Sequence, residues 1–311
     1  MKQTTWFWTK AFILAFGIVM MVRTFAFISC TIPFTGMENT LFQGDRVIVD
    51  RWSYGYRTPL NSLFGYHRWG SREAARDQIA VFNTPAPHDN SQAIDRRDVF
   101  ICRCAGLPGD TLMLDNQLNL TQQAIQSPDF KSLYTYPSQT EDLLLNTMQQ
   151  LGICPNELIG YQDSSYIRSL SHYEAYLIRQ ATGKAIRLTP LQPTNEHIHP
   201  FIVPKQGCSV RVYPWNIHLL AETIRRHEGK QVEIRHDTLY VNGQKAFSYL
   251  FHQDYYWMVS NNSANINDSR RFGFVPASHL IGRARLVWFS KDPTEDWLHG
   301  YRWQRFFHII K

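Results

Sequence analysis

The chain has no Cys-x-x-Cys pair, no dense Lys/Arg run, no internal repeat and no low-complexity stretch. Each absence removes a class. Five cysteines (Cys30, Cys102, Cys104, Cys154 and Cys208) without zinc spacing give no structural metal site, and no metal or cofactor is implied. An odd count leaves at least one thiol free. Cys102 and Cys104, two apart on an expected strand, point to one face and are poor disulfide partners, so buried thiols are the simpler reading. Without a concentrated basic run, nucleic acid is not an expected partner; a formal charge of +6 suits a protein lying near anionic lipid. No small-x-small cleavage site follows the N-terminal apolar run, which argues against a removed signal peptide.

What is present begins with that run. Ala11–Val22 is apolar without a break, and with Arg23 and the nearly apolar 24–28 it reaches about 18 residues, close to the minimum for a helical span. Arg23 lies near one end, where it can snorkel outward. Lys2 and Lys10 precede the run. The expectation is an uncleaved, single-pass anchor with its N-terminus in the cytoplasm and the main domain outside. At 311 residues the rest can bury a sizeable core.

Short runs rich in β-branched and aromatic residues follow: 46–52, 78–83, 99–104, 238–243, 255–260 and 284–290. Gly44-Asp45, Pro108-Gly109-Asp110 and Asn242-Gly243 punctuate them as turns. The pattern predicts a mainly β, antiparallel fold. The middle differs: Thr140 is a candidate N-cap for a helix through Leu151, and Ser171 with Glu174 forms a capping box for a helix ending near Gly183. A third helix is expected over 217–228, stopped by Gly229. The expected organisation is therefore a cytoplasmic N-terminus and anchor over 1–30, a first β-core half over 31–114, an α/β insertion or cap over 115–235, and a second core half over 236–311. The C-terminal RWQRFFHIIK mixes bases with apolar residues; it reads as a packed or solvated terminus, with a membrane-surface contact as the alternative.

Three segments together resemble the bacterial type I signal peptidases (leader peptidases), serine proteases with a Ser–Lys dyad. IPFTGMENTLFQGDRVIVDRWSYGYRTP resembles the family's Pro-Ser-x-Ser-Met-x-Pro-Thr-Leu box with its following Gly-Asp, strand and Tyr-Gly-x-Arg-x-Pro turn. FICRCAGLPGDTL is similar to the strand ending Lys-Arg-(Val/Cys)-x-Gly-(Leu/Ile)-Pro-Gly-Asp. QDYYWMVSNNSANINDSRRFGFVPASHLIGRARLVWFS resembles the Gly-Asp-Asn…Asp-Ser-Arg…Gly-x-Val-Pro…Gly-Lys/Arg-Ala block. All three occur in the family's order, behind an anchor where the family has one, and they cover about half the chain. The implied fold is a signal-peptidase-type antiparallel β core with an α/β insertion and one N-terminal transmembrane helix.

A serine hydroxyl must hand its proton to a base before it can attack a carbonyl, and in this family the resemblance implies a lysine kept neutral by burial. The tetrahedral oxyanion needs donors, among them a nearby hydroxyl. Carried over residue by residue, the nucleophile's place directly before Met37 is Gly36. The oxyanion-donor hydroxyl falls on Phe34. The lysine's place, before Arg103, is Cys102. Where the family has Gly-Asp-Asn, this chain has Ser260, Asn261 and Asn262. What the resemblance keeps is scaffold: Met37, Asp45, Arg103, Gly106, Pro108–Asp110, Asn262, Asp268 and Arg270, the last two expected to form a charge-assisted pair.

Thr35 is one residue off and, in an extended segment, would face away; the remaining lysines lie far from these motifs in sequence. Cys102 would need an activating base, and no protease-type Cys–His spacing stands out. The expected function is thus that of a signal peptidase-like pseudoenzyme of protein export, in the bacterial inner membrane with its main domain on the periplasmic side. It would bind extended signal-peptide segments of exported precursors, or an active paralogue. The alternative is a working signal peptidase that cleaves signal peptides with a non-standard residue set. Besides these partners the lipid bilayer is expected, and no nucleic acid.

Overall fold

In the computed structural model, eight antiparallel strands make the main sheet. The structure describes residues 2–58, 65–87, 89, 91–121, 127–154, 156–191, 197–262, 264 and 267–310, with side chains described outside 2–5 and 20–25. From one edge the strands run Phe27–Thr31, Asp45–Asp50, Leu280–Ser290, Ile79–Asn83, Val99–Gly106, Tyr255–Val259 and Val275–Pro276, and His308–Ile309 adds onto Leu280–Ser290. The mainly β expectation holds. Strand Leu280–Ser290 is longer than the predicted 284–290 because its first residues pair with Ile79–Asn83 and the rest with Asp45–Asp50, with irregular register at each hand-over. Central strands Ile79–Asn83 and Tyr255–Val259 are buried along their whole length, as strands covered on both faces must be.

Two glycines are dictated by this packing. Gly44 has φ of +88°, and a Cβ there would sit 1.9 Å from the Lys291 carbonyl oxygen, so the turn before Asp45 admits nothing larger. At Gly106 a Cβ would come within 2.9 Å of Trp257 Cβ and 2.8 Å of Leu112, the close approach that lets the strand's end lie against Trp257.

The middle of the chain contains a separate four-stranded antiparallel sheet, in the order Thr189–Pro190, Lys131–Pro137, Ser165–Ser171 and Gly160–Gln162. Helices Glu141–Gln150 and His172–Thr182 pack on it through their own cluster of Tyr134, Tyr136, Leu144, Met148, Leu170, Ala175 and Ile178. The capping box is formed: the Glu174 amide donates to Ser171 Oγ at 3.1 Å, and the Ser171 amide donates to Glu174 Oε2 at 2.6 Å. Thr140 sits at the predicted cap position but its Oγ1 instead donates backward to the Pro137 carbonyl at 2.7 Å, so its side chain caps nothing. The third helix, Ile217–His227, packs with Leu112, Phe201, Leu239 and Trp257 in a cluster that stitches residues 201–232 to strands from both ends of the chain. Burying each such side chain is worth roughly 1.5–3 kcal/mol, so these segments belong to one packed body.

At the N-terminus, Lys2–Phe25 is helical and its described side chains from Phe12 to Val19 are exposed. Among the described residues no helix is long and apolar enough to cross a membrane. The side chains of Met20–Phe25, including the flanking Arg23, lie outside the described set. The C-terminal segment is tied down. Arg305 pairs with Asp45 at 2.7 Å and donates to the Thr40 carbonyl at 2.9 Å, while Ile310 is buried.

Candidate functional site

The segment that opens the core is held from both ends. The Ile32 amide donates to the Asp45 carbonyl and the Gly44 amide to the Ile32 carbonyl, closing a loop over 32–45. Inside it Thr35–Met37 forms one 3-10 turn, continued by the Leu41 amide donating to the Met37 carbonyl at 2.7 Å. Met37 and Leu41 point into the core beside Ile32, Val47 and Val81, which explains why this turn cannot slide. Gly36 therefore lies on the outer side of a turn pinned from within, and its carbonyl accepts from the Asn262 amide at 3.0 Å.

Phe34 is 58% exposed and stands between two clefts. One, of about 720 Å³, is walled by Thr35, Glu38, Ser169, Asn262 and the loop 156–159; the other, of about 1290 Å³, by Thr84, Pro87, Val99, Phe100 and Phe272. Asn267 and Arg271 line both. Strand Tyr255–Val259 pairs with Val99–Gly106 only from Arg103 onward. On that side the stretch 99–102 has no strand partner among the described residues, leaving a free edge next to Phe34.

Cys102 faces away from water. Only 1% exposed, it packs with Tyr54, Phe82, Cys104 and Met258, and its Sγ donates to the Asn267 carbonyl at 3.5 Å. Burial pushes its pKa well above the usual thiol value; the Asp268 carboxylate adds to the rise and Arg270 opposes it. The group is a neutral thiol at physiological pH, without the electropositive setting that activates cysteine.

Two buried networks surround these positions. In the first, Asp268 Oδ2 accepts from the Ser260 amide (2.9 Å), Ser260 Oγ (2.8 Å) and Arg270 Nη2 (2.7 Å), while Oδ1 accepts from the Arg270 amide and Nε at 3.0 Å. This is the predicted Asp268–Arg270 pair. In the second, Lys131, wholly buried, donates from Nζ to Glu38 Oε2 at 2.9 Å, and Glu174 Oε1 lies at 3.8 Å. The Lys131 amide donates to the Asn261 carbonyl at 2.7 Å, and Asn262 Oδ1 accepts from Ser169 Oγ at 2.8 Å. Asn261 Nδ2 in turn donates to Thr40 Oγ1 (2.7 Å) and the Glu38 carbonyl (3.1 Å), and Arg103 Nη2 donates to Thr40 Oγ1 at 3.0 Å.

A family profile described as "Signal peptidase, peptidase S26" matches residues 5–165 and 245–289 of this chain. The chain belongs to the signal peptidase family. Among curated relatives, "Signal peptidase I" of Buchnera aphidicola subsp. Schizaphis graminum is 26% identical over 298 residues, covering 94% of this chain and 78% of that protein. That of Haemophilus influenzae is 22% identical over 302 residues, covering 95% and 73%, and that of Helicobacter pylori strain 26695 is 22% identical over 316 residues, covering 94% and 89%.

The stretch Ser260–Asn262 links the Gly36 carbonyl, Arg103 and the Asp268–Arg270 pair, while Phe34 lines both clefts and Cys102 lies buried with its Sγ on the Asn267 carbonyl. The lysines are distant in sequence, yet one of them, Lys131, arrives beside the opening turn 93 residues away from its partner Glu38. Sequence reading missed Lys131, Glu38, Thr40 and Ser169, and saw in Glu174 only a cap. The one available signal was the charge opening the otherwise apolar strand KSLYTYP. Lys131 lines neither cleft; it is sealed between two carboxylates, and its Nζ donates to that of Glu38. Among the described residues no cluster of His, Cys, Asp and Glu could hold a metal ion.

Proposed function

We propose that this signal peptidase family member is a catalytically inactive binder of extended signal-peptide segments, or of an active paralogue in contact with them. Gly36, Cys102 and Phe34 would stand at the nucleophile, base and oxyanion-donor positions. The observation that carries the reading is the pairing of a side-chain-free Gly36 on the outer turn with a fully buried, neutral Cys102 thiol behind it. Neither can attack a carbonyl or take up a proton there. Backbone donors alone leave hydrolysis far below that of an intact nucleophile and base.

The edge at 99–102, whose Val99 and Phe100 line the larger cleft, supports binding by strand addition, in which backbone hydrogen bonds hold the peptide and alternate side chains drop into that cleft. The apolar run Ala11–Val22, whose side chains from Phe12 to Val19 are exposed, supports a single-pass anchor in the bacterial inner membrane and a main domain on the periplasmic side. The separate apolar cluster of residues 134–188 supports an insertion between core halves over 31–114 and 236–311; of its expected span 115–235, residues 201–232 pack with both halves.

The test is turnover. The full chain in detergent is incubated with a precursor carrying a signal peptide, beside Gly36→Ser/Cys102→Lys and Cys102→Ala. We expect no cleavage by the parent and saturable binding of a signal-peptide analogue. Cleavage by the parent that Cys102→Ala abolishes would establish an active peptidase with a non-standard residue set instead. Absence of any binding would sink the peptide-binder reading.

A further inference from the structure

The α/β unit forms one wall of the smaller cleft, through Ser169 and residues 156–159, while the turn at 35–38 forms the other. Among the described residues, Thr40 Oγ1 donates to Asp129, just ahead of the α/β unit, at 2.6 Å, and two side-chain bonds join the walls themselves. Ser169 reaches Asn262, and Lys131 reaches Glu38. Of these only Lys131 is a charge without water, and it opens the strand on which the α/β unit is built. Its backbone is fixed too: the amide donates to the Asn261 carbonyl, and the residue bridges Asn262, whose amide holds Gly36.

We propose that Lys131 is a positioning residue: its buried ammonium, gripped by Glu38 from the turn and Glu174 from the helix His172–Thr182, seats the α/β unit against the Gly36 turn and so sets the width of the peptide cleft. This gives the insertion a task in ligand binding, and it rests on the peptide-binding reading above. A buried charge is kept only where partners are in place, so the pair acts as a register pin: the ammonium tolerates no displacement that separates it from the carboxylates. Glu174 has a second tie, the Ser171 amide, and Glu38 sits one residue beyond Met37, whose side chain is locked in the core. Movement of either wall must therefore break the pin.

The charge arithmetic makes the role separable from general packing. Around Lys131 the titratable groups are Glu38, Glu174 and the half-buried Cys154 on the loop after the first helix of the unit, with Arg302 farther out. Removing the ammonium leaves two carboxylates facing each other. They repel until one takes up a proton, which happens as pH falls toward the carboxylate range.

The experiment uses the full chain in detergent and a fluorescein-labelled peptide spanning the cleavage region of a bacterial signal peptide, with affinities expressed relative to the parent at each pH. At pH 8, Lys131→Met should weaken binding by about tenfold or more; near pH 5 the deficit should shrink to within about threefold as a carboxylate protonates. Lys131→Met/Glu38→Gln, with one carboxylate neutral, should lose less at pH 8 and show no such recovery. A deficit equal at both pH values, or no deficit, overturns the proposal. Should Lys131→Met not fold, Glu38→Gln keeps the Lys131–Glu174 contact. Hydrogen exchange of the Leu41 and Asn262 amides should then be about tenfold faster than in the parent, and unchanged exchange is a refutation. Because exchange needs no ligand, it judges the positioning role even if the parent binds no peptide.

Discussion

The two buried charge networks behind the cleft are built in opposite ways. Asp268, Arg270 and Ser260 lie within ten residues of one another and fold as a local knot, with the carboxylate capping the short helix Ser269–Phe272. Glu38, Lys131 and Glu174 come from three segments up to 136 positions apart in the chain, and each needs the others' elements to be in place. The local knot draws its charges from one loop, with a further bond from Arg270 Nη1 to Asn119 Oδ1 at 3.2 Å. The dispersed cluster exists only in the assembled protein, which makes it the place where the α/β unit and the sheet are joined.

The sharpest way to break this contrast is to remove one charge from each. Lys131→Met leaves two uncompensated carboxylates and should lower unfolding free energy by about 3–5 kcal/mol in a urea titration at pH 8. Asp268→Asn keeps the shape of the local knot and several of its hydrogen bonds but loses the charge. It should cost less, about 1.5–3 kcal/mol, with Cys102 remaining buried.

A third non-local assembly extends the comparison. His279 Nε2 lies 3.0 Å from Arg97 Nη1, and its ring meets His227 edge-on at 5.4 Å. Burial lowers both: His227 to about 3, with Arg97 and Arg226 adding to it, and His279 well below its ordinary value, with His227 and then Arg97 and Arg57 opposing its charged form. The folded protein thus binds fewer protons than the unfolded chain. The histidines' contribution is complete above pH 6.5 and is lost as pH falls below it. The slope is at most about 1.4 kcal/mol per pH unit per histidine. Stability measured at pH 7.5 and 5.5 should differ by about 1–3 kcal/mol, and His227→Phe should flatten the profile.

The smallest effect compares the two helices of the α/β unit. Ser171→Ala removes a working cap and should cost about 1 kcal/mol, whereas Thr140→Ala, which removes no cap, should stay within about 0.5 kcal/mol. Equal costs would show that the backward bond of Thr140 to Pro137 matters as much as a true cap.

Much of the fold was legible because it rests on short-range rules. The strand at Ile79–Asn83, the turn at Gly44 and the box at Ser171–Glu174 each follow from residues within a few positions of one another. So did the Asp268–Arg270 pair. Thr140 misled because a hydroxyl at a helix start has two acceptors in reach, and nearby backbone geometry chose the other. Phe34 could not be placed from its neighbours, since whether it packs or stands in a cleft depends on walls supplied by residues 84–100 and 156–159.

By itself the sequence determined that residues 34, 36 and 102 carry no hydroxyl and no amine, because side-chain chemistry is fixed by residue identity. It also determined the antiparallel strands, through alternation and turn residues. Only the tertiary structure decided that Cys102 is sealed and neutral, that Lys131 is buried against Glu38 and Glu174, and that the α/β unit walls the smaller cleft. Those are properties of burial and of distances between segments far apart in the chain, and both come into being only when the core closes.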